Sequence, residues 1–334
     1  MSTDSSRRRA LAGLAAAAAL PATLSLSPTR ALAQAWPSRP IRLVVPTPPG
    51  SSVDVAARLI AEGLRGKLGG ATVLVENRPG AGGTIAAADV ARSAPDGHSL
   101  FVGFNGPLAT AEHVFPRLPY KPLESFAPVI ATVSQPHVLV VNAAHPARTL
   151  REFVAGVKAA PGKANYASVG NASASHLTME LFKSAAGLFI VHIPYNGGPA
   201  ATQGLIAGDV DALFTAYVNV QGPVSAGRLR VLALAEKKRS PRLPEVPTFA
   251  EQGVPQVDAP LWNAIVAPAG TPAEIVGKLN TAIDAVLAEP SVREKLAGGG
   301  MDVIGGKPEV LAEMMRTESA KWLPVIRRLG IKPD

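Results

Sequence analysis

Beyond residue 33 the chain repeats one pattern: a short apolar run, a loop rich in Gly, Ser and Pro, then apolar residues at helical spacing. Ile41 to Val45 is a β-branched strand candidate that ends in the loop Pro46 to Ser52. Val53 to Leu68 then carries Val, Ala, Leu and Ile three and four residues apart, the period of a helix with one buried face. Thr72 to Glu76 predicts a strand, Gly80 to Gly83 a tight turn with a helix to about Ser93, and Ser99 to Gly103 a further strand after the turn Pro95-Asp96-Gly97. Phe126 to Asn142 is a long extended run broken at Gln135-Pro136, which predicts a connection between two halves. The pattern then resumes with helix Leu150–Ala159, strand Ala164–Ser168, a helix from Ser175 to Ala186, and strand Ile190–Ile193. A helix after Gly198 and strands Ala212–Thr215 and Val231–Ala235 complete the second set. Pro241 to Pro247 predicts an exposed connector, and Thr271-Pro272-Ala273-Glu274 a capping box that opens the closing helices.

Strands alternating with helices predict an α/β fold of two lobes, each a mixed, mostly parallel sheet flanked by helices. The expected division is 36–135 plus 256–334 for lobe 1 and 136–255 for lobe 2, with a cleft between them. The connections near Val133–Val138 and Pro247–Pro260 are the expected hinge.

The segment before this pattern reads differently. Arg7, Arg8 and Arg9 precede an apolar run from Ala10 to Leu20, and Ala31-Leu32-Ala33 closes the segment with small residues, as a cleaved export signal does. Ser6-Arg7-Arg8 suggests the twin-arginine route, and export puts the mature chain in the periplasm. The apolar run is too short to span a bilayer. The segment carries Arg7, Arg8, Arg9 and Arg30 against Asp4, a surplus of three, so the formal charge of +8 falls to +5 on cleavage. No Lys/Arg block with interleaved aromatics is present, which argues against a nucleic-acid partner. The sequence has no cysteine, which removes disulfides, thiolate catalysis and Cys-based metal sites. The expected protein is a freely diffusing monomer.

A strand–Gly/Ser loop–helix unit occurs once in each predicted lobe, at Gly50-Ser51-Ser52 and at Ser168-Val169-Gly170-Asn171-Ala172-Ser173. Backbone N–H groups at a helix start, together with the macrodipole, favour an anion. Gly admits close approach, and Ser or Asn adds donors. Ser and Asn also cap helices with no ligand near; two such units facing one cleft favour binding.

Longer motifs run through the same residues. Arg39-Pro40-Ile41-Arg42-Leu43-Val44-Val45-Pro46 leads to Gly50 and Asp54. Val75-Glu76-Asn77-Arg78-Pro79-Gly80-Ala81-Gly82-Gly83, Ala94-Pro95-Asp96-Gly97, Tyr166-Ala167-Ser168 with His176-Leu177, and His192-Ile193-Pro194-Tyr195 follow in order. Lys238-Arg239-Ser240-Pro241 and Ala267-Pro268-Ala269-Gly270-Thr271-Pro272 complete the set. In order and spacing the whole mature chain resembles the Bug (Bordetella uptake gene) family, the TctC-like receptors of tripartite tricarboxylate transporters. The resemblance implies a type II periplasmic-binding-protein fold and a cleft that takes a ligand carboxylate. By position it implies Thr47, Pro48, Gly50, Ser51 and Ser52 in the first loop, with Asp54 holding the loop's shape. It implies Ser168, Gly170, Asn171 and Ser173 in the second, then Tyr195 and Asn196, and Thr215 on a later strand. The implied partners are a small carboxylate and the membrane subunits of such a transporter, or a sensor.

Three positions depart from the family pattern. Thr47 stands where many relatives have an aromatic, Ser51 where many have a second Gly, and Thr215 where many have Asp. Thr cannot neutralise a ligand ammonium, so the expected ligand is a mono- or dicarboxylic acid without a charged amine.

Other chemistries are weaker. No Gly-x-Ser-x-Gly elbow supports the alternative of a secreted α/β hydrolase; a Ser168–His176 pair is conceivable, but capping or packing explains His176, and His192 reads as a core residue. His137 and His145 lack metal-site spacing, and Asp209 and Asp211 read as a solvated turn. Ile85 replaces the third glycine that a dinucleotide loop needs after Gly80. Neither catalytic residues nor a metal or cofactor is expected. Trp262 and Asn263 are candidates to reach the cleft.

Overall fold

The computed structural model describes residues 36–171 and 173–331. Residues 1–33, read above as an export signal, and Ala172 of the second loop lie outside the described residues.

Two sheets form. The first runs in the order β11-β4-β10-β3-β1-β2, from β1 (Ile41–Val45), β2 (Val73–Asn77), β3 (Ser99–Phe104), β4 (Phe126–Gln135), β10 (Leu261–Pro268) and β11 (Asp302–Val303). The second runs β7-β6-β8-β5-β9, from β5 (His137–Asn142), β6 (Asn165–Ser168), β7 (Val191–Pro194), β8 (Ala212–Ala216) and β9 (Leu229–Leu234). Pairing is parallel in β2-β1-β3 and β7-β6-β8 and antiparallel elsewhere. The parallel share is thus smaller than the repeated pattern suggests. The antiparallel strands are the ones next to the passages between the lobes: β4 and β5 are separated only by Pro136, so the extended run read as a connection is two full strands, one in each sheet.

Helices α1 (Ser52–Lys67), α2 (Thr84–Ala91), α3 (Ala111–Val114), α4 (Leu150–Ala159), α5 (Ala174–Ala186), α6 (Gly198–Ala207), α7 (Gln221–Ser225), α8 (Ala273–Leu287), α9 (Pro290–Gly298) and α10 (Pro308–Leu329) accompany the sheets. Alternate strand residues face opposite sides. Ile41, Leu43, Leu100 and Val102 pack with Ile60 and Leu64 of α1 and Ile283 of α8, while Val44 and Phe101 pack on the other face with Ala87 of α2 and Leu311 of α10. In the second sheet Leu139 and Phe214 join Phe153 and Phe182, and Val138 and Leu213 join Leu205 of α6. Helix α10 belongs to both cores: Leu311 and Met315 pack with the first, Trp322 and Ile326 with the second. At the passages, Ala235 N–H donates to the His137 carbonyl and Ala259 N–H to the Ala235 carbonyl, both at 2.8 Å, lacing three chain segments together.

The predicted capping box before α8 does not form. Thr271 turns back, its hydroxyl donating to the Pro268 carbonyl at 2.7 Å, and Glu274 pairs with Lys278 instead. Pro272 takes the cap position with no side-chain cap bond.

Helices α1 and α8 approach closely at Gly63, where an added Cβ would lie 2.5 Å from Val286 Cγ1. Val286 is buried and β-branched, with little rotamer freedom in a helix. Gly63→Ala is therefore expected to destabilise the fold by about 1–3 kcal/mol, the usual cost of overpacking, measured as the shift of the urea midpoint. An unchanged midpoint would show that the helix pair relaxes at no cost.

Candidate functional site

The parallel strands of both sheets end at one cleft, as open α/β sheets place their ligands. Strand β1 ends in Pro46 to Ser51 and enters α1; β6 ends in Val169 to Ser173 and enters α5; β7 ends in Tyr195 to Gly197 and enters α6. Three helix N-termini therefore converge. Val53 of α1, Ala174 of α5 and Gly198 of α6 all line one inner chamber of about 520 Å³. An outer chamber of about 740 Å³ lies toward the lips, and both are lined by Thr47, Phe104, Val169 and Gly197. Among the described residues, no Lys, Arg, Asp or Glu lines either chamber. Any anion held there is met by backbone N–H groups, hydroxyls and amides. The first N–H groups of a helix have no intrahelical partner and point outward along the axis.

Ser51 caps α1 by accepting from Asp54 N–H at 3.3 Å, and its hydroxyl meets that of Thr47 at 2.5 Å. Asp54, 2% exposed, holds the loop from behind. It accepts from Gly50 N–H at 2.9 Å, Asn77 Nδ2 at 2.8 Å and Arg58 Nε at 3.0 Å. Burial works to raise the Asp54 carboxyl, but those donors outweigh it and hold it below the ordinary carboxylate value. Asn77 also donates to the Thr47 carbonyl at 2.9 Å, tying the end of β2 to the loop.

The expected site residues separate by depth. Thr47, Ser51, Ser52 and Thr215 line the inner chamber. Pro48, Gly170, Asn171, Tyr195 and Asn196 line the outer one. Ser168, Ser173, Asp54 and Gly50 line neither. Ser168 is buried, accepting from Gly170 N–H at 3.2 Å and bonded to His192 Nε2 at 2.7 Å. Ser173 caps α5, accepting from His176 N–H and donating to the Gly170 carbonyl. His176 lies buried in the first turn of α5 with its ring stacked on His192 at 4.1 Å. His192 is half-buried rather than a core residue, and it is His192, not His176, that bonds Ser168. Asp211 accepts from Asn165 N–H at the opposite end of β6 from the cleft, a structural turn.

Trp262 and Asn263 point to opposite sides of β10. Trp262 packs in the first-sheet core and Asn263 lines the inner chamber. Sequence reasoning missed Asn105, Gln135, His137, Ser175, Gly198 and Asn219, all of which line it too. His137 is fully buried and its Nδ1–H donates to the Ala259 carbonyl at 3.0 Å. Burial pushes its imidazole down to about 4, against the pull of that bond, so the ring is neutral at pH 7. Gly80 to Gly83, read as a turn that packs its helix, also lines the outer chamber.

Two α/β lobes with helix starts opposed across one uncharged cleft define a solute-binding protein of the periplasmic-binding type. Residues 56–331 match the family model described as "Tripartite tricarboxylate transporter family receptor", TctC. BugT of Bordetella pertussis is 38% identical over 301 residues, covering 90% of this chain and 92% of that one. Among solved structures, a Rhodopseudomonas palustris protein with adipate is 34% identical with a TM-score of 0.85, covering 90% of this chain and 100% of its own. MatC from the same organism, solved with bound malate, is 34% identical with a TM-score of 0.83, covering 87% and 100%. The chain belongs to the TctC (Bug) family of solute-binding receptors. That is a family of receptors, and the hydrolase alternative is set aside; Ser168, the serine it relied on, lines neither chamber. Among the described residues no group of His, Asp or Glu could hold a metal, and no helix is long and apolar enough to cross a membrane.

Proposed function

We propose that this chain is a periplasmic receptor that closes two lobes over a small mono- or dicarboxylic acid lacking a charged amine. It then presents the acid to the membrane subunits of a tripartite tricarboxylate-type transporter, or to a sensor. The observation that carries this reading is the convergence of three helix N-termini on a chamber without charged side chains. Helix starts attract a carboxylate, while a ligand ammonium would find no carboxylate to meet it. Thr47, Ser51, Ser52 and the N-terminus of α1 would grip from lobe 1, 36–135 plus 256–334. Ser175, Gly198 and Thr215 would grip from lobe 2, 136–255. Ser168, Ser173, Gly50 and Asp54 would shape those loops from behind, with Pro48, Gly170, Asn171, Tyr195 and Asn196 forming the lips. The relatives solved with adipate and with malate support a carboxylate as ligand. Cleavage after Ala33 and export to the periplasm belong to the same reading.

The test is a thermal-shift screen of the mature chain with small carboxylic acids, their primary amides and the matching α-amino acids. At a hundredfold excess over Kd the right acid should stabilise the fold by about 2.7 kcal/mol, while its amide and amino-acid analogue should not. Equal stabilisation by acid and amide would overturn the anion reading.

A further inference from the structure

The inner chamber contains polar atoms that the helix starts do not use, and one of them cannot be turned. Asn105 stands at the end of β3 and is 3% exposed. Its Nδ2 donates to the Pro260 carbonyl at 3.0 Å and to Glu318 Oε1 at 3.3 Å. A carbonyl only accepts. Glu318 Oε1 also accepts from Trp322 Nε1 at 2.8 Å, and an indole N–H only donates. Turning the Asn105 amide would set its oxygen against two acceptors. Asn105 Oδ1 is therefore held as an acceptor, and it is buried without a hydrogen-bond partner.

Other amides share the wall. Gln135 Oε1, Asn219 Oδ1 and Asn263 Nδ2 are also buried and unpartnered. Gln135 and Asn263 bond each other at 3.4 Å and can exchange orientation together, presenting one acceptor and one donor either way. Asn219 bonds the Thr215 hydroxyl at 2.9 Å and can turn against it, since a hydroxyl gives or accepts. Of these four amides, Asn105 alone has its polarity set from outside the chamber.

From the fixed orientation of Asn105 we infer that the inner chamber selects acids that carry a neutral hydrogen-bond donor, a hydroxyl or amide N–H, away from the carboxylate. A second carboxylate at that end meets an acceptor and is disfavoured. The inference rests on the carboxylate reading above and narrows it from mono- and dicarboxylic acids to donor-bearing monocarboxylic acids. An alkyl group there leaves that acceptor as unpaired as it was before binding, and only a donor gains a bond from it. Asn105 is thus a specificity-determining residue, oriented by Pro260, Glu318 and Trp322.

The test is calorimetry on the mature chain with matched probes: 3-hydroxypropanoate, 4-hydroxybutanoate and 5-hydroxypentanoate, their deoxy acids, and malonate, succinate and glutarate. The expected result is one hydroxy acid that binds about ten- to hundredfold more tightly than both its deoxy and its dicarboxylate counterparts. Asn105→Leu should erase the ratio between hydroxy acid and deoxy acid; should that variant not fold, Asn105→Ala, which also lacks the acceptor, reads the same ratio. Carboxylates that bind with no gain from the hydroxyl, or dicarboxylates that bind best, overturn the inference and leave the carboxylate reading standing. No binding by any carboxylate overturns both.

Discussion

Gly82→Ala is expected to weaken carboxylate binding about five- to hundredfold and to destabilise the unliganded fold by only about 1–2 kcal/mol. The lips of the two lobes meet at Gly82. A Cβ added there would overlap the Asn171 carbonyl oxygen, a backbone atom that cannot rotate aside. Gly170 approaches Gly82 from the same side, and Gly197 of the second lobe rests on Pro48 of the first. A methyl group at Gly82 thus holds the lobes apart at the mouth. Overpacking of this kind costs about 1–3 kcal/mol, charged to the closed form alone, which is the stated range in affinity. Gly82 also has φ +61°, so the substitution strains the turn by about 1–2 kcal/mol in every state. Calorimetry gives the first quantity and thermal unfolding of the ligand-free chain the second. Parent-like affinity in a folded Gly82→Ala chain would mean that the ligand does not need the lips to meet.

Glu236→Gln should stabilise the fold by about 3 kcal/mol at pH 8, by about 1 kcal/mol at pH 5, and by almost nothing below pH 4. Glu236 follows β9 where the chain passes between the lobes. Burial pushes its carboxyl up to about 7, against the His137 backbone N–H bond that favours the charged form; Asp302 and Asp258 add to the rise. Lys321 and Lys237 flank Asp258. A carboxyl raised in the folded state binds more protons there than in the unfolded chain. Its stabilising contribution is full below the unfolded value of 4.5 and is lost as pH rises through 7. His137 beside it has the opposite sense: its folded value of about 4 lies below the unfolded 6.5, so its contribution is present above 6.5 and lost as pH falls through 4. Between about pH 6.5 and 4.5 the two slopes oppose each other in the parent. In Glu236→Gln only the His137 slope remains, so Tm should fall on acidification from 6.5. Unfolding measured in steps from pH 4.5 to 8.5 decides it; a variant-to-parent difference that stays constant with pH would rule the account out.

Local signals carried the elements well where cap and period agreed. Helix α4 spans Leu150–Ala159 as its apolar spacing predicts, and Thr149 caps it by accepting from Glu152 N–H. The two Gly/Ser loops were legible because each joins a strand to a helix within a few residues. The third helix start, at Gly197-Gly198, carried little signal, since a glycine cap makes no side-chain bond. The chamber wall was less legible still. Asn105, Gln135 and Asn263 end or begin apolar strands, where a single polar residue is ordinary. They meet because β10 returns antiparallel between β3 and β4, pairing Leu261 with Gln135 and Asn263 with Phe104. That pairing is non-local and has no counterpart in residue spacing. Thr271 shows the reverse error: a sound capping motif was overridden by a nearer acceptor in the turn after β10.

A helix rooted in two cores cannot follow either one as a rigid body. The opening that the proposed binding cycle requires would load α10 where it crosses between them, from Met315 to Trp322. Glu318 lies in that stretch and holds Asn105 of the chamber wall. In the reading proposed above, filling the cleft and swinging the halves would both bear on the same two turns of helix, through Asn105 and through the two cores.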